Sequence, residues 1–239
     1  MEQLTYWKTH LTGAPAALEL PTDRPRPAAQ EHRGASVAGK VTARTADRLR
    51  ELGRRRGATL YMTLLSAFTT LLGRMSGQQD IVVATPIVNR DRPETEAMIG
   101  FFMNTLAVRM DLSGEPTFEQ LMSRAREASL NAYANRDVPF ERIVQELNPV
   151  RDLSRNPIAQ VSLNVLNIPD TRVCFTGLDA EPIDIGSAGS KFDLTLYVEE
   201  RDGLALDLVY DSALFDEARM SRFLRRFEAL LELDRKSVV

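Results

Sequence analysis

Apolar positions recur at helical spacing through the middle of the chain and switch to strict alternation in its last third. After Thr59, the residues Leu60, Leu64, Ala67, Phe68, Leu71, Leu72 and Met75 keep helical spacing, and Tyr61, Met62 and Leu65 widen the apolar surface. A helix apolar on nearly every side belongs in a core. Gly77 marks its end. Just upstream, Thr45 is placed to cap a helix with Leu49 and Leu52 facing inward. Ile81-Val82-Val83-Ala84 is a continuous β-type run suited to a buried strand. Thr117 and Gln120 form a capping box that opens a helix with Leu121, Met122, Ala125, Ala128, Ala132 and Tyr133 as its inner stripe. Pro139 opens a further helix with Phe140, Ile143, Val144 and Leu147 inward.

The alternating segments are Gln160 to Leu166 and Phe192 to Val198, and Asp202-Gly203 joins the second of them to Leu204-Ala205-Leu206-Asp207-Leu208-Val209 as a hairpin. Period two places Gln160, Ser162 and Asn164 on one face and Val161, Leu163 and Val165 on the other; Asp193, Thr195 and Tyr197 repeat the polar set. This sheet therefore has a polar face, which either lines a cleft or is simply solvated. A final amphipathic helix carries Met220, Phe223, Leu224, Phe227, Leu230 and Leu231, with Asp216 as its cap. The first forty residues, punctuated by Pro15, Pro21, Pro25 and Pro27, read as irregular chain that wraps the surface of the later elements. The expectation is an α/β fold, a mixed β-sheet packed with helices. Its organisation is residues 1–40 as an opening segment, 41–232 as the body and 233–239 as a tail.

Composition narrows the functions. Thirty Lys and Arg against 33 Asp and Glu give a net charge of −3, unlike a nucleic-acid binder. The basic run from Arg44 to Arg56 is interleaved with Asp47 and Glu51 and reads as a solvated helix face or a docking surface. Cys174 is the single cysteine, so no internal disulfide forms. It reads as an inert thiol in a strand. The start lacks a basic and apolar leader, and Gly57 to Gly73 is broken by hydroxyl residues, so neither secretion nor a membrane span is expected and a cytoplasmic location is the default. The histidines are His10 and His32 only, far from any ligand spacing, so neither a metal site nor a histidine-based triad can be assembled.

Stretches along the chain carry a resemblance. Ile99-Gly100-Phe101-Phe102-Met103-Asn104-Thr105-Leu106-Ala107-Val108-Arg109, then Asn135-Arg136-Asp137-Val138-Pro139-Phe140-Glu141, then Arg151-Asp152-Leu153-Ser154-Arg155-Asn156-Pro157-Ile158 resemble ordered motifs of condensation domains from nonribosomal peptide synthetases. In the second of these, Asn135 or Arg136 stands where the family has histidine. Tyr6-Trp7 through Pro27 resembles the stretch that opens the family's second lobe. The similarity covers about residues 1–232, and the family's His-His-x-x-x-Asp-Gly signature, which belongs to the first lobe, is absent.

The resemblance implies a chloramphenicol-acetyltransferase-like C-terminal lobe, one of a pair that meets at a tunnel. There the acceptor aminoacyl thioester attacks a donor thioester to make an amide bond. No cofactor is bound directly; the phosphopantetheine arms of donor and acceptor carrier proteins bring the substrates. The implied partners are an N-terminal lobe and both carrier proteins, with an isolated module that only docks carrier proteins or self-associates as a rival role. An epimerisation or cyclisation relative would share the scaffold. No residue here is assigned to catalysis, and the chain is not expected to act alone. Asn104, Thr105, Arg109, Arg155, Asn156, Ser162 and Asn164 are the tunnel or motif residues, although Asn104, Arg155 and Asn156 would serve equally as structural hydrogen-bonders. Asn89 and Arg90, in the loop from Pro86 to Pro93, match a floor segment. Ser190 and Lys191, in the stretch from Gly186 to Lys191, match a crossover loop, or an ordinary flexible one. The family continues toward an adenylation domain where this chain stops, so excision from a larger synthetase, or a split or broken gene, is expected.

Overall fold

A computed structural model describes residues 2–88, 93–96, 98–166 and 189–232. Its frame is one mixed six-stranded sheet in the order β1-β6-β5-β4-β2-β3. The strands are β1 (Gly34–Val41), β2 (Asp80–Val88), β3 (Met103–Asp111), β4 (Val161–Leu166), β5 (Leu194–Arg201) and β6 (Gly203–Asp211). β4 runs parallel to β2 and to β5, and the outer pairs are antiparallel. The helices are α1 (Glu2–Leu11), α2 (Ala43–Arg55), α3 (Leu60–Ser76), the short α4 (Pro93–Glu96), α5 (Phe118–Ala134), α6 (Phe140–Leu147) and α7 (Glu217–Glu232).

Alternation sorts each strand into two sets. Val37, Leu208, Leu196, Leu163 and Val83 share one face across the sheet and are buried. On that face α7 packs over β1, α2 over β6, α3 over β2 and α5 over β3. Phe68 of α3 meets Phe223 and Phe227 of α7 edge-on, with ring centroids 6.2 and 6.1 Å apart, the arrangement that the ring quadrupoles favour. Among the described residues, the opposite face is covered only at its β2–β3 end, where α1 and α6 pack together and Trp7 is fully buried. No other described helix packs on that face.

The local expectations hold where a cap or turn residue signals them. Thr59 and Thr117 cap α3 and α5, and Gly77 ends α3 in the left-handed region. Gly203 turns the β5–β6 hairpin at φ 98°, and a β-carbon there would press on the Ala43 nitrogen at 2.9 Å. Others are corrected. α2 is capped by Thr42, whose hydroxyl accepts from the Thr45 nitrogen at 3.3 Å, so Thr45 sits a turn inside the helix. Tyr133 is 49% exposed and carries the Arg136 guanidinium 4.1 Å above its ring, while Ser129 takes the inner position. The opening segment is not irregular throughout, because α1 and β1 lie within it. Pro139 precedes α6 as its cap residue rather than lying in its first turn. Asp216 does stand at the cap position of α7, its carbonyl accepting from the Met220 nitrogen at 3.1 Å, but its carboxylate bonds Arg24, and its own nitrogen donates to Asp23 Oδ2 at 2.9 Å. Cys174 lies outside the described residues.

Between α1 and β1 the chain does wrap the body, held by side chains from distant elements. Gln160 Oε1 accepts from the Leu18 nitrogen at 2.7 Å, and Gln78 Oε1 from the Glu19 nitrogen at 2.7 Å. Arg26 grips Asp193 through both carboxylate oxygens and also donates to Ser154 O at 3.0 Å. Asp193 is 1% exposed. Burial opposes the charge on Arg26, but the hydrogen bonds and negative charge of Asp193 outweigh it and raise the pKa. Burial and the neighbouring Asp193 charge push Asp211 up.

Removing one partner of such a pair strands a buried charge. Arg26→Met is expected to cost about 3 kcal/mol in denaturant unfolding, with most of it recovered in Arg26→Met/Asp193→Leu. A loss under 1 kcal/mol in the single variant would show the pair to be dispensable.

His10 stacks on Tyr6 with ring centroids 5.2 Å apart. Burial and Arg109 hold its pKa below 6.5, against a smaller opposite pull from Asp80. Below about pH 6.5 the unfolded chain therefore binds more protons than the folded one. Stability is expected to fall as pH drops from about 6.5 through the folded pKa. This step should be absent in His10→Gln, as read from thermal unfolding across pH 5 to 8.

Candidate functional site

The open part of the sheet is the floor of a groove of about 1280 Å³. Register lays its side chains out in transverse rows. The first is Ser162, Thr195, Val209 and Ser36, from β4, β5, β6 and β1. The middle row is Asn164, Tyr197, Asp207 and Ala38, and the third is Leu166, Glu199, Ala205 and Lys40. The walls come from Phe101 and Phe102 ahead of β3 and Met103 at its start, from Asp137 and Pro139 at the α5–α6 turn with Glu141 in the first turn of α6, and from Gly189, Lys191 and Phe192 ahead of β5. Ser162 and Thr195 are buried, while Asn164, Tyr197 and Asp207 are half-exposed. Burial first, and Asp207 second, raise the Tyr197 pKa above its ordinary value. The floor thus offers hydroxyl, amide and carboxylate groups on a rigid scaffold, suited to a polar, extended ligand.

The groove brings together Thr105, Ser162, Asn164 and Lys191 among the residues singled out in the sequence. Asn104 is at its edge but is committed to structure. Its Nδ2 donates to Arg136 O at 2.8 Å and Val138 O at 2.9 Å. Its Oδ1 accepts from the nitrogens of Thr105 at 2.8 Å and Phe140 at 3.0 Å. Every hydrogen-bonding position of the amide is used.

Arg109 lies away from the groove. It holds Asp80 bidentately at 2.9 and 2.6 Å and donates to the carbonyls of His10 and Thr12 at 2.7 and 3.1 Å, fastening the end of α1. Arg155 pairs with Glu19 at 2.6 Å and Asp152 at 3.4 Å. Asn156 donates to Lys191 O and accepts at its own carbonyl from Gln160 Nε2 at 2.8 Å.

Ser190 is buried. Its nitrogen donates to His32 O at 3.1 Å, and its carbonyl lies 3.1 Å from His32 Nδ1. The crossing is tight enough to require glycine on both sides, since a β-carbon on Gly34 would lie 2.7 Å from Gly189 O. Asn89 and Arg90 lie outside the described residues, as do Gly186 to Ala188.

Sequence reading passed over Asp207, Ser36 and the wall carboxylates Asp137 and Glu141 as site residues. Asp207 had a signal: it is the lone polar residue in the alternation Leu204 to Val209. No group of His, Cys, Asp and Glu among the described residues is arranged to hold a metal, and no described helix is long and apolar enough to cross a membrane.

A sheet covered on one face by helices, with a polar groove on the other, is the chloramphenicol-acetyltransferase-like fold. The condensation-domain family matches residues 1–233. The chain belongs to that family. It is 48% identical over 233 residues to a linear gramicidin synthase of Brevibacillus parabrevis, covering 96% of this chain and 3% of that protein. It is 40% identical to phosphinothricin tripeptide synthetase PhsB of Streptomyces viridochromogenes, covering 98% of this chain and 20% of that protein. The chain spans only 3 to 5% of the length of the three linear gramicidin synthase proteins that it matches. Among solved structures, the X-domain from teicoplanin biosynthesis matches with a TM-score of 0.86 and 33% identity over 96% of this chain and 53% of that one. A four-domain nonribosomal peptide synthetase bound to AMP and glycine matches with a TM-score of 0.86 and 27% identity, over 96% of this chain and 19% of that one.

Asn104→Ala removes the partners of Arg136 O, Val138 O and the Phe140 nitrogen. It is expected to destabilise the chain by about 2–3 kcal/mol and to raise hydrogen exchange locally at residues 135–141. Unchanged exchange there would contradict the anchoring role.

Proposed function

We propose that this chain is the C-terminal lobe of a condensation domain and that its open sheet face forms one wall of an amide-forming tunnel. The observation that carries the reading is the groove itself: a polar sheet face that no described helix covers, in a family member that spans about half of the matching X-domain. Its rim is apolar where a second lobe would seat. Val88 is 59% exposed, Phe101 88% and Met103 48%, more than a solvated surface normally leaves together in one place. Two phosphopantetheine arms enter such a tunnel, from a donor and an acceptor carrier protein. The acceptor nitrogen lone pair attacks the donor thioester carbonyl. The C–N bond forms, the C–S bond breaks, and the proton leaving nitrogen ends on the departing thiolate or in solvent. In the joined domain this chain supplies orientation, and proton handling at the amine falls to the first lobe, because neither His10 nor His32 lines the groove.

The test mixes the purified chain with a matching first lobe and both loaded carrier proteins. Dipeptide is expected only from the complete mixture. Product from the chain without the first lobe, or none from any cognate mixture, would overturn the reading.

The same exposed rim favours a second reading, a module that docks carrier proteins or pairs with itself. Light scattering at increasing concentration separates them: dimerisation supports self-pairing, and a monodisperse monomer removes it.

A further inference from the structure

We infer that the free edge of β1 is a strand-pairing site for a second copy of this chain, and that the Glu228 carboxylate holds it shut. The edge is made of backbone groups and is independent of the tunnel reading above.

β1 is an outer strand of the sheet. In an antiparallel pair, residues bonded to the neighbouring strand alternate with residues whose N–H and C=O point away from it. The Ser212 nitrogen donates to Arg33 O at 2.8 Å, in register with the β1–β6 ladder, so Ala35, Val37 and Gly39 face β6. Ser36, Ala38 and Lys40 therefore turn both backbone groups to the open edge. The Lys40 nitrogen agrees: it donates to Glu228 Oε1 of α7 at 2.9 Å rather than to β6. Among the described residues, nothing bonds the outward groups of Ser36 and Ala38.

An exposed edge recruits other strands unless something blocks it. Both ends of this one are blocked. Ahead of it, the Ser190 nitrogen takes His32 O at 3.1 Å. Behind it stands Glu228, and the sequence makes room for that side chain. Gly39 packs beneath α7, where a β-carbon would run into Glu228 Oε1 and lie 2.9 Å from Leu224 Cδ2. Any larger residue would push the carboxylate off the Lys40 nitrogen. The open stretch between the two blocks, Ser36 to Ala38, is self-complementary. Laid antiparallel about Val37, two copies match Ser36 with Ala38 and Ala38 with Ser36, each pair exchanging both N–H···O=C bonds. Gly34-Ala35-Ser36-Val37-Ala38-Gly39 holds nothing bulkier than valine, so a second backbone can come alongside. The same register sets Gly34 of the copy opposite Lys40, on the spot that the Glu228 carboxylate fills. A ladder this short is weak, and one charge-assisted hydrogen bond is enough to compete with it. The contact has two-fold symmetry and closes on itself, so its product is a dimer rather than a fibre.

The test follows the full chain by sedimentation at increasing concentration and by amide hydrogen exchange. In the dilute native chain, the Lys40 amide is expected to exchange more slowly than those of Ser36 and Ala38. Equal rates would overturn the guard with no substitution needed. Glu228→Ala, which removes the acceptor, is expected to tighten dimerisation about tenfold and to protect the Ser36 and Ala38 amides. Glu228→Gln keeps an acceptor oxygen and should stay close to the native chain. Gly39→Ala displaces the same carboxylate from below and should give the same dimer, so the outcome does not hang on one variant. Ala38→Pro removes an N–H that points outward at an edge, where proline is tolerated; added to Glu228→Ala, it should abolish the gain. Dimerisation of Glu228→Ala no tighter than that of the native chain would overturn the proposal, as would a gain that survives Ala38→Pro. A dimer without protection at Ser36 and Ala38 would overturn it too, and would assign the pairing to the apolar rim.

Discussion

The molecule depends on one side-chain amide. Asn104, at the start of an edge strand, fastens the turn between α5 and α6 by bonding to the carbonyls of Arg136 and Val138 and to the nitrogen of Phe140. That turn carries the chain from one face of the sheet to the other. α5 lies with the helices that bury the apolar face, and α6 lies with α1 on the opposite one. Because the amide fixes where α6 begins, it also fixes Asp137, Pro139 and Glu141 as a groove wall. The covered part of the face and the open part are therefore set by the same joint.

This changes what the family motifs are for. The stretch around Asn104 and the stretch from Asn135 to Glu141 are bonded to each other. The stretch from Arg151 to Ile158 is bonded to the opening segment and to the approach to β5, through Arg155 with Glu19 and Asn156 with Lys191. Gln160 closes the set by holding Leu18 and Asn156 at once. In this chain the polar residues of those stretches are mainly joints that position the groove. The groove's polar floor comes from alternating strand residues outside those motifs, notably Thr195, Tyr197 and Asp207.

Elements were legible in the sequence wherever a local rule governs them. Capping residues at Thr59 and Thr117, the turn at Gly203 and the period-two strands all follow from backbone sterics and one-sided burial. α1 was hidden because its buried side is little more than Trp7 and Leu11, too small a stripe to register. β1 was hidden because Gly34-Ala35-Ser36-Val37-Ala38-Gly39 has weak strand propensity; it is a strand because β6 supplies a partner along its full length. The polar face could be read from Gln160 to Asn164, but not that α1 and α6 would bury part of that face, since that depends on contacts between residues over a hundred positions apart, such as Trp7 Nε1 with Asn135 O at 2.8 Å. Arg109 and Arg155 drew attention as charged motif residues, and only tertiary structure shows their charges spent on Asp80 and Glu19.

The pairing of β1 with β6 sets a schedule for synthesis of the chain. Val41 is matched to Leu204 and Gly34 to Asp211, so among the described strands the one made earliest waits for the one made latest before it has a partner. At about 5–20 residues per second that delay is on the order of 10–30 s. Throughout it Val37 and Val41 lack their apolar cover, and α7, which packs on β1, is made later still. The outer end of the sheet cannot assemble piecemeal as the nascent polypeptide emerges, and a break in translation before residue 204 would release a fragment in which β1 lacks β6.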